Sequence, residues 1–306
     1  MPAWGPGGII GCRADELDVF ILIGMAVVIA SVLGGFILEG GHLLVLLQWA
    51  EFVIIGGVAV GALLISTPKY VLVKIVTFIL SSLKSAGPTK DHFLELLQLL
   101  YEIFQTARVK GLLTLEGHVE KPEESELFTK YAVVMHHHHA LEYLTDSLKL
   151  LVVGGVPPME LEMLLDADLE TQEEEGKKPA HNLARIADSL PGMGIVAAVL
   201  GIVITMGAIG GPAAEIGHKV GAALVGTFAG VLLCYGFLQP LSAQIEVQAE
   251  QQDLFLKSIK AGVVAYAKGM PPIVAVEFAR RVIINEVRPS FGEVEEACRA
   301  IKVKAS

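Results

Sequence analysis

Gly221–Leu241 reads GAALVGTFAGVLLCYGFLQPL, 21 residues without a charge. Wound as an α-helix at about 1.5 Å per residue, such a stretch spans about 30 Å, the thickness of a bilayer's hydrocarbon core. A core helix of a soluble protein carries a polar stripe, and this one has none. Three other stretches repeat the pattern. Pro191–Gly211 is also free of charge, Leu17–Leu38 has only Asp18, and Ala50–Thr67 has only Glu51, each acid at the edge of its run. The sequence therefore predicts four transmembrane helices.

The rest of the chain fits that reading. Its 306 residues are 53% hydrophobic and 18% charged, against about 25% charged in ordinary soluble domains. Cys12, Cys234 and Cys298 lie far apart, with no CxxC or Cys/His spacing that would support a zinc site or a disulfide framework. A net charge of −10 argues against nucleic acid as a partner. No nucleophile–base pair, phosphate-binding loop or dinucleotide fingerprint occurs, so no enzyme and no cofactor is expected.

Charge placement predicts orientation. Pro68–Leu190 holds 12 Lys/Arg and Ser242–Ser306 holds 9, together 21 of the chain's 23, whereas the connectors Glu39–Trp49 and Pro212–Val220 hold only Lys219. By the positive-inside rule both large polar portions and both termini face the cytoplasm. The expected organisation is an N-terminal extension, 1–16, rich in Gly and Pro and read as flexible. Helices one and two follow over 17–67, a cytoplasmic helical domain over 68–190, helices three and four over 191–241, and cytoplasmic C-terminal helices over 242–306. With no cleavage site after its apolar run, Leu17–Leu38 reads as a retained span. In Asp91–Lys110 the residues Phe93, Leu96, Leu97, Leu100, Ile103 and Phe104 repeat at helical spacing. Further helices are expected over Tyr131–Gly154, Met159–Glu175, Ser242–Lys268 and Phe291–Lys302. The fold class is an all-α integral membrane protein with four transmembrane helices and a large helical cytoplasmic portion.

The spans carry no acid, base or histidine in their interiors on this reading. Ion pathways normally depend on such a group, which would then come from another chain. Small residues line one face of the fourth span (Ala222, Gly226, Gly230, Cys234) and of the third (Ala197, Gly201, Thr205), spacing that lets helix backbones approach closely. They suit packing within one chain or assembly of several. Pro191 reads as an ordinary helix-start proline or as half of a hinge whose other half is Pro240. Thr227 either bonds back to its own helix or faces a polar path. His136–His139 cannot converge on one metal ion, because consecutive residues point around a helix, and reads as a solvated run.

Ala223–Pro240, ALVGTFAGVLLCYGFLQP, resembles the MotA family of flagellar motor stator subunits. So do SLPGMGIVAAVLGIV (Ser189–Val203), GPAAEIG (Gly211–Gly217), LEGHVEKPEESELF (Leu115–Phe128), GMPPIVAVEFARR, RPSFGEVEE and the first hairpin, which together cover nearly the whole chain. The resemblance implies a homopentamer in the bacterial inner membrane around a MotB dimer, whose transmembrane helices supply the ion-binding aspartate. It implies that Pro191 and Pro240 are the functional prolines beside that aspartate, that Thr227 faces the pore, and that Tyr235 is the aromatic residue of the same helix. It makes Arg108 and Glu116 the charged pair that engages the rotor protein FliG. Sodium-driven relatives carry threonine where Ala198 stands, and alanine offers no oxygen to a dehydrated cation. The coupling ion is therefore expected to be H⁺, with Na⁺ as the alternative. An envelope energiser of the TolQ/ExbB type and a membrane scaffold without ion flux are the rival readings.

Overall fold

A computed structural model describes residues 15–82, 88–207 and 209–301. The expectations for the extension's first fourteen residues, Cys12 included, and for Lys302 lie outside the described residues. Among the described residues every regular element is helical. The chain divides into two units: Met1–Ala86 with Lys177–Val247, and Gly87–Gly176 with Gln248–Ser306.

The first unit holds the apolar helices. They are α1 (Asp15–Leu38), α2 (Trp49–Ser66), α3 (Lys69–Ser82), the last part of α8 (Pro158–Met206), α9 (Ala213–Leu232) and the start of α10 (Gln239–Ala267). Four segments among the described residues are long and apolar enough to cross a membrane: Phe20–Leu38, Leu43–Ser66, and portions of Pro158–Met206 and Ala213–Ala267. Their large side chains face outward, as with Ile65, 90% exposed. That is tolerable only against lipid or another chain.

Several boundaries move. Pro212–Val220, read as a connector, is helical from Ala213 onward, because Pro212 opens the helix and Glu215 pairs with Lys219 one turn on at 3.0 Å. Met159–Glu175, the approach over Pro179–Leu190 and the third span are one helix, so Pro191 lies inside a helix and does not start one. A helix at Lys69–Ser82 is absent from the sequence reading. Val71 and Ile75, one turn apart, are buried, and Phe78 and Ile79 pack against Ala180, Leu183 and Ile245. The adjoining ends of α3, α8 and α10 thereby belong with the spans, a division that differs from cuts at 67/68, 190/191 and 241/242.

The second unit is built on α4 (Lys90–Lys110). Phe93, Leu96, Leu97, Leu100, Ile103 and Phe104 are all fully buried, as their spacing predicts. Burying each such side chain stabilises by about 1.5–3 kcal/mol. Phe93 stacks on Phe255 and Phe104 on Tyr266, both with ring centroids 4.6 Å apart, which seats α10 on α4. Gly111, at φ 92°, ends α4 in a conformation that other residues rarely adopt. The short α5 (Glu116–Glu120) follows, and α11 (Pro272–Val282) and α12 (Phe291–Ala300) close the core.

The helix expected over Tyr131–Gly154 is two, α6 (Ala132–His136) and α7 (His138–Val153). The break is His137. Its Nδ1 accepts the Ala140 N–H at 3.3 Å, capping α7, and its ring stacks on Phe255 at 5.2 Å. The histidine run is thus not simply solvated: His136, His138 and His139 keep some exposure to solvent, and His137 is a packed cap. Acidic residues of α8 are engaged as well. Glu173 pairs with Lys257 at 2.7 Å, Asp166 with Lys260, and Glu162 with Lys268 at 2.7 Å, which laces α8 to α10.

Candidate functional site

In the first unit the seam between α8 and α9 is formed by absent side chains. A Cβ added to Gly230 would lie 2.5 Å from the Leu190 carbonyl oxygen, and one added to Gly194 would lie 2.7 Å from the Gly226 carbonyl oxygen and 3.1 Å from Thr227 Cα. One added to Gly201 would meet Ala223 Cβ at 2.7 Å. The small-residue stripes therefore pack two helices of the same chain, backbone on backbone.

This packing sets the level of the two prolines. Leu190, against Gly230, precedes Pro191. Asp188 accepts a hydrogen bond from Gln239, the residue before Pro240. Ser242 donates to the Ala180 carbonyl at 2.9 Å, so Pro240 stands opposite the stretch of α8 near Ala180, roughly two turns from Pro191, and the two prolines do not share a level. Proline removes one backbone donor and crowds the carbonyl four residues back. Ahead of Pro240 the chain widens into a π-helical turn, Leu233–Leu238, and the Gln239 N–H donates to Cys234, five residues back. Such turns break the uniform ladder of a helix and recur at functional sites.

Thr227 follows Gly226 on α9. Its half-buried hydroxyl bonds neither to its own helix nor to any other group among the described residues, in contrast to Thr205, which donates to the Gly201 carbonyl at 2.8 Å. Ala198, 7% exposed, follows Ala197, which packs against Gly226. Tyr235 is 61% exposed within the single chain. The structure places Pro191 and Ala198 on α8, and Thr227 and Pro240 on the run formed by α9, the π-helical turn and α10, which packs against it. Tyr235 lies in the π-helical turn between Thr227 and Pro240.

Arg108 and Glu116 lie in the second unit, at the last turn of α4 and the first of α5. Both are exposed, and neither forms a salt bridge among the described residues. They are not joined to each other. Nearby charges are engaged: Glu102 accepts from Lys130 at 2.6 Å and from the Tyr131 hydroxyl at 2.7 Å. Burial and that bond together push the Tyr131 phenol up from its ordinary value. No group of three or more His, Cys, Asp or Glu side chains placed to hold a metal ion occurs among the described residues.

Sequence reading misses Glu51, placing it at the edge of its span and leaving the spans free of interior acid. The structure corrects this. Glu51 is 7% exposed, and its Oε2 has no hydrogen-bond partner. The apolar run begins at Leu43 with a short 3₁₀ turn, Leu43–Leu46, so Glu51 lies inside it. The continuous LLVLLQW before Ala50 is the available signal.

Comparison with known proteins agrees with this architecture. The model of the motility protein A N-terminal domain matches residues 22–111, and that of the MotA/TolQ/ExbB proton channel family matches residues 135–256. Motility protein A of Salmonella typhimurium is 38% identical over 284 residues, 93% of this chain and 96% of that one. The Escherichia coli motility protein A is 37% identical over the same length. The structure of C. jejuni MotAB shares the fold with a TM-score of 0.71 at 22% identity, covering 88% of this chain and 96% of its own. The chain belongs to the motility protein A family, membrane subunits of the MotA/TolQ/ExbB proton channel class.

Proposed function

We propose that the chain is a flagellar stator subunit that forms a proton pathway with a MotB-type partner and converts proton flow into rotation. The observation that carries this reading is the make-up of the α8–α9 seam. Pro191, Ala198 and the unbonded Thr227 there, with Pro240 on α10, contain no titratable group, and among the described residues the one carboxyl buried against the seam is that of Glu51, from α2. The carboxylate this reading requires beside Thr227 and the prolines is the partner's aspartate, brought in on a single transmembrane helix. The solved C. jejuni relative is a MotAB structure, and we extend a partner of that kind to this chain.

Protons enter down their gradient, worth about 2.3 kcal/mol per charge per 100 mV, and protonate that aspartate. Neutralisation removes the cost of holding a carboxylate against an apolar wall, and a homopentameric ring steps around its partner dimer. Pro191 and Pro240, roughly two turns apart along the pair, each give their own helix a place to bend. Arg108 and Glu116, exposed and unpaired, meet opposite charges on the rotor protein FliG. The chain sits in the bacterial inner membrane with both termini cytoplasmic and performs no enzymatic step.

The test is rescue of swimming in a strain lacking its own stators, at varied Na⁺ and pH. Rescue that ignores Na⁺ and fails when the proton gradient is collapsed supports the proposal. A requirement for Na⁺ transfers the reading to sodium, and Ala198→Thr is the variant to compare. Restored envelope transport without swimming supports a TolQ/ExbB-type energiser.

A further inference from the structure

The channel reading does not use Glu51, and packing alone does not explain it. Its carboxyl sits in a seat made by glycines from two helices. A Cβ at Gly226 would lie 2.5 Å from Glu51 Oε2, and one at Gly201 would lie 3.5 Å from Oε1. Ala197 and Ala223 line the same place. A residue larger than glycine at 226 would displace the carboxyl.

Oε2 is buried without a partner. With one oxygen removed from water and from donors, the charged carboxylate is costly to hold, and a bound cation relieves that cost. Hard metal cations are held by sets of oxygen ligands, whereas this seat is hydrocarbon and glycine backbone, with room for a proton. Charged and titratable groups on the surrounding elements are distant in register. Residues 20–38 of α1, 52–66 of α2 and 191–206 of α8 have none. On α9, Glu215, His218 and Lys219 stand in the first two turns, Glu215 and Lys219 paired at 3.0 Å. Cys234 and Tyr235 follow two turns beyond Gly226, and Glu39 and His42 lie in the first connector. Hydroxyls flank the seat along the seam. Thr205, fully buried, is one turn outward from Gly201, and Thr227 immediately follows Gly226.

We propose that Glu51 is a second proton-binding site of the ion pathway, supplied by this chain and lying between Thr205 and Thr227. A proton arriving from the outer side forms the O–H bond on the Glu51 carboxyl. It leaves to a water or carboxylate at the level of Thr227, and the Glu51 carboxylate is restored. No electrons are exchanged. The inference rests on the proton-channel reading.

The test uses the complex of the full chain with its single-span partner in liposomes, with the partner's plug segment removed and a pH-sensitive dye inside. Glu51→Gln keeps the size of the side chain and cannot cycle a proton. With the complex recovered in normal yield, this variant is expected to lower proton flux by about a hundredfold or more, the scale of a lost proton-transfer group. Glu51→Asp is expected to keep part of the flux with an altered pH profile. Equal flux and an equal pH profile in wild type and Glu51→Gln overturn the proposal and leave the channel reading standing. Absence of flux from the wild type overturns the channel reading and the pathway role of Glu51 with it. Proton binding has its own readout, which holds even where Glu51→Gln fails to assemble. Infrared spectra of the complex grown with carboxyl-¹³C glutamate and unlabelled aspartate separate Glu51 from the partner's aspartate. A protonated-carboxyl band with the glutamate isotope shift, at the pH of the motility assay and lost in Glu51→Asp, supports the site. No such band overturns it.

Discussion

The two units of the chain are held together by opposite means. The second unit is filled by large side chains: Phe93, Phe104, Phe128 and Phe255 are all within 1% of full burial. In the first unit α8 and α9 meet closely at Gly194, Gly201, Gly226 and Gly230, where there is no side chain. The solvent explains the contrast. Water drives large apolar groups together, so one unit gains by adding carbon to its core. Lipid gives no such drive, and helices there gain by bringing backbones into contact. In the second unit removing atoms should hurt most, and in the first adding them should.

The largest expected effect tests the first half of that contrast. Phe104→Ala empties a site between α4 and α10 and should cost the second unit about 3–5 kcal/mol. Gly230→Ala adds one methyl where a Cβ meets the Leu190 carbonyl oxygen at 2.5 Å. It should cost the first unit about 1–3 kcal/mol, the range for overpacking. The chain carries a buried thiol in each unit, Cys234 in the first and Cys298 in the second. Labelling rates of the two, in full-length protein with Cys12 replaced by Ser, report local opening of each unit separately. Burial pushes the Cys298 thiol up to about 12, so it reacts only once opened. Phe104→Ala should speed labelling of Cys298 and leave Cys234 alone, and Gly230→Ala should do the reverse. Equal acceleration of both thiols by either variant would break the comparison.

The same contrast explains what is legible in the sequence. Side chains that are present leave a pattern. The spacing of Phe93, Leu96, Leu97, Leu100, Ile103 and Phe104 is enough by itself to locate α4 and its buried face. Charge-free length locates the spans, and small residues locate the seam. Features that depend on where another helix arrives are not legible. LLVLLQW is enough to put Glu51 inside its span, but nothing near it in sequence reveals that Gly201 and Gly226 leave room for its carboxyl. Pro191 looks like a helix start because a proline cannot announce that the helix before it continues. His137 looks like one histidine of four, because the Phe255 ring it stacks on lies more than a hundred residues away. Arg108 and Glu116 stand out by resemblance alone, since two exposed charges at helix ends carry no local signature.

A smaller effect concerns that histidine and sharpens the second unit's side of the comparison. Burial lowers His137 protonation below the ordinary value of about 6.5, and His139 and His138 add to this. The folded unit therefore prefers neutral His137, which can accept from Ala140 at Nδ1. Because the unfolded chain takes up the proton first, stability is fully present above about pH 6.5 and declines as pH falls below it. Opening at Cys298 should become easier over that range, by up to about 1 kcal/mol, the worth of a helix cap. His137→Asn keeps a capping acceptor without the ionisation and should flatten the dependence. Opening at Cys234, in the unit without His137, should not follow it. An unchanged slope in His137→Asn would assign the pH dependence to another group.

The smallest effect marks the limit of the comparison, because not every visible contact in the second unit holds it together. Lys149 and Asp146 pair at 2.8 Å with side chains 51% and 62% exposed. Both ends remain in water, and the Coulomb gain is offset by the entropy of holding two long side chains in place. Lys149→Ala should change Cys298 opening by less than about 0.5 kcal/mol, and added salt should leave even that difference nearly unseen. If the effect approached that of Phe104→Ala, charge would be holding the unit together to a degree comparable with its aromatic core. The contrast between a unit built on buried carbon and one built on bare backbone would then fail on its stronger side.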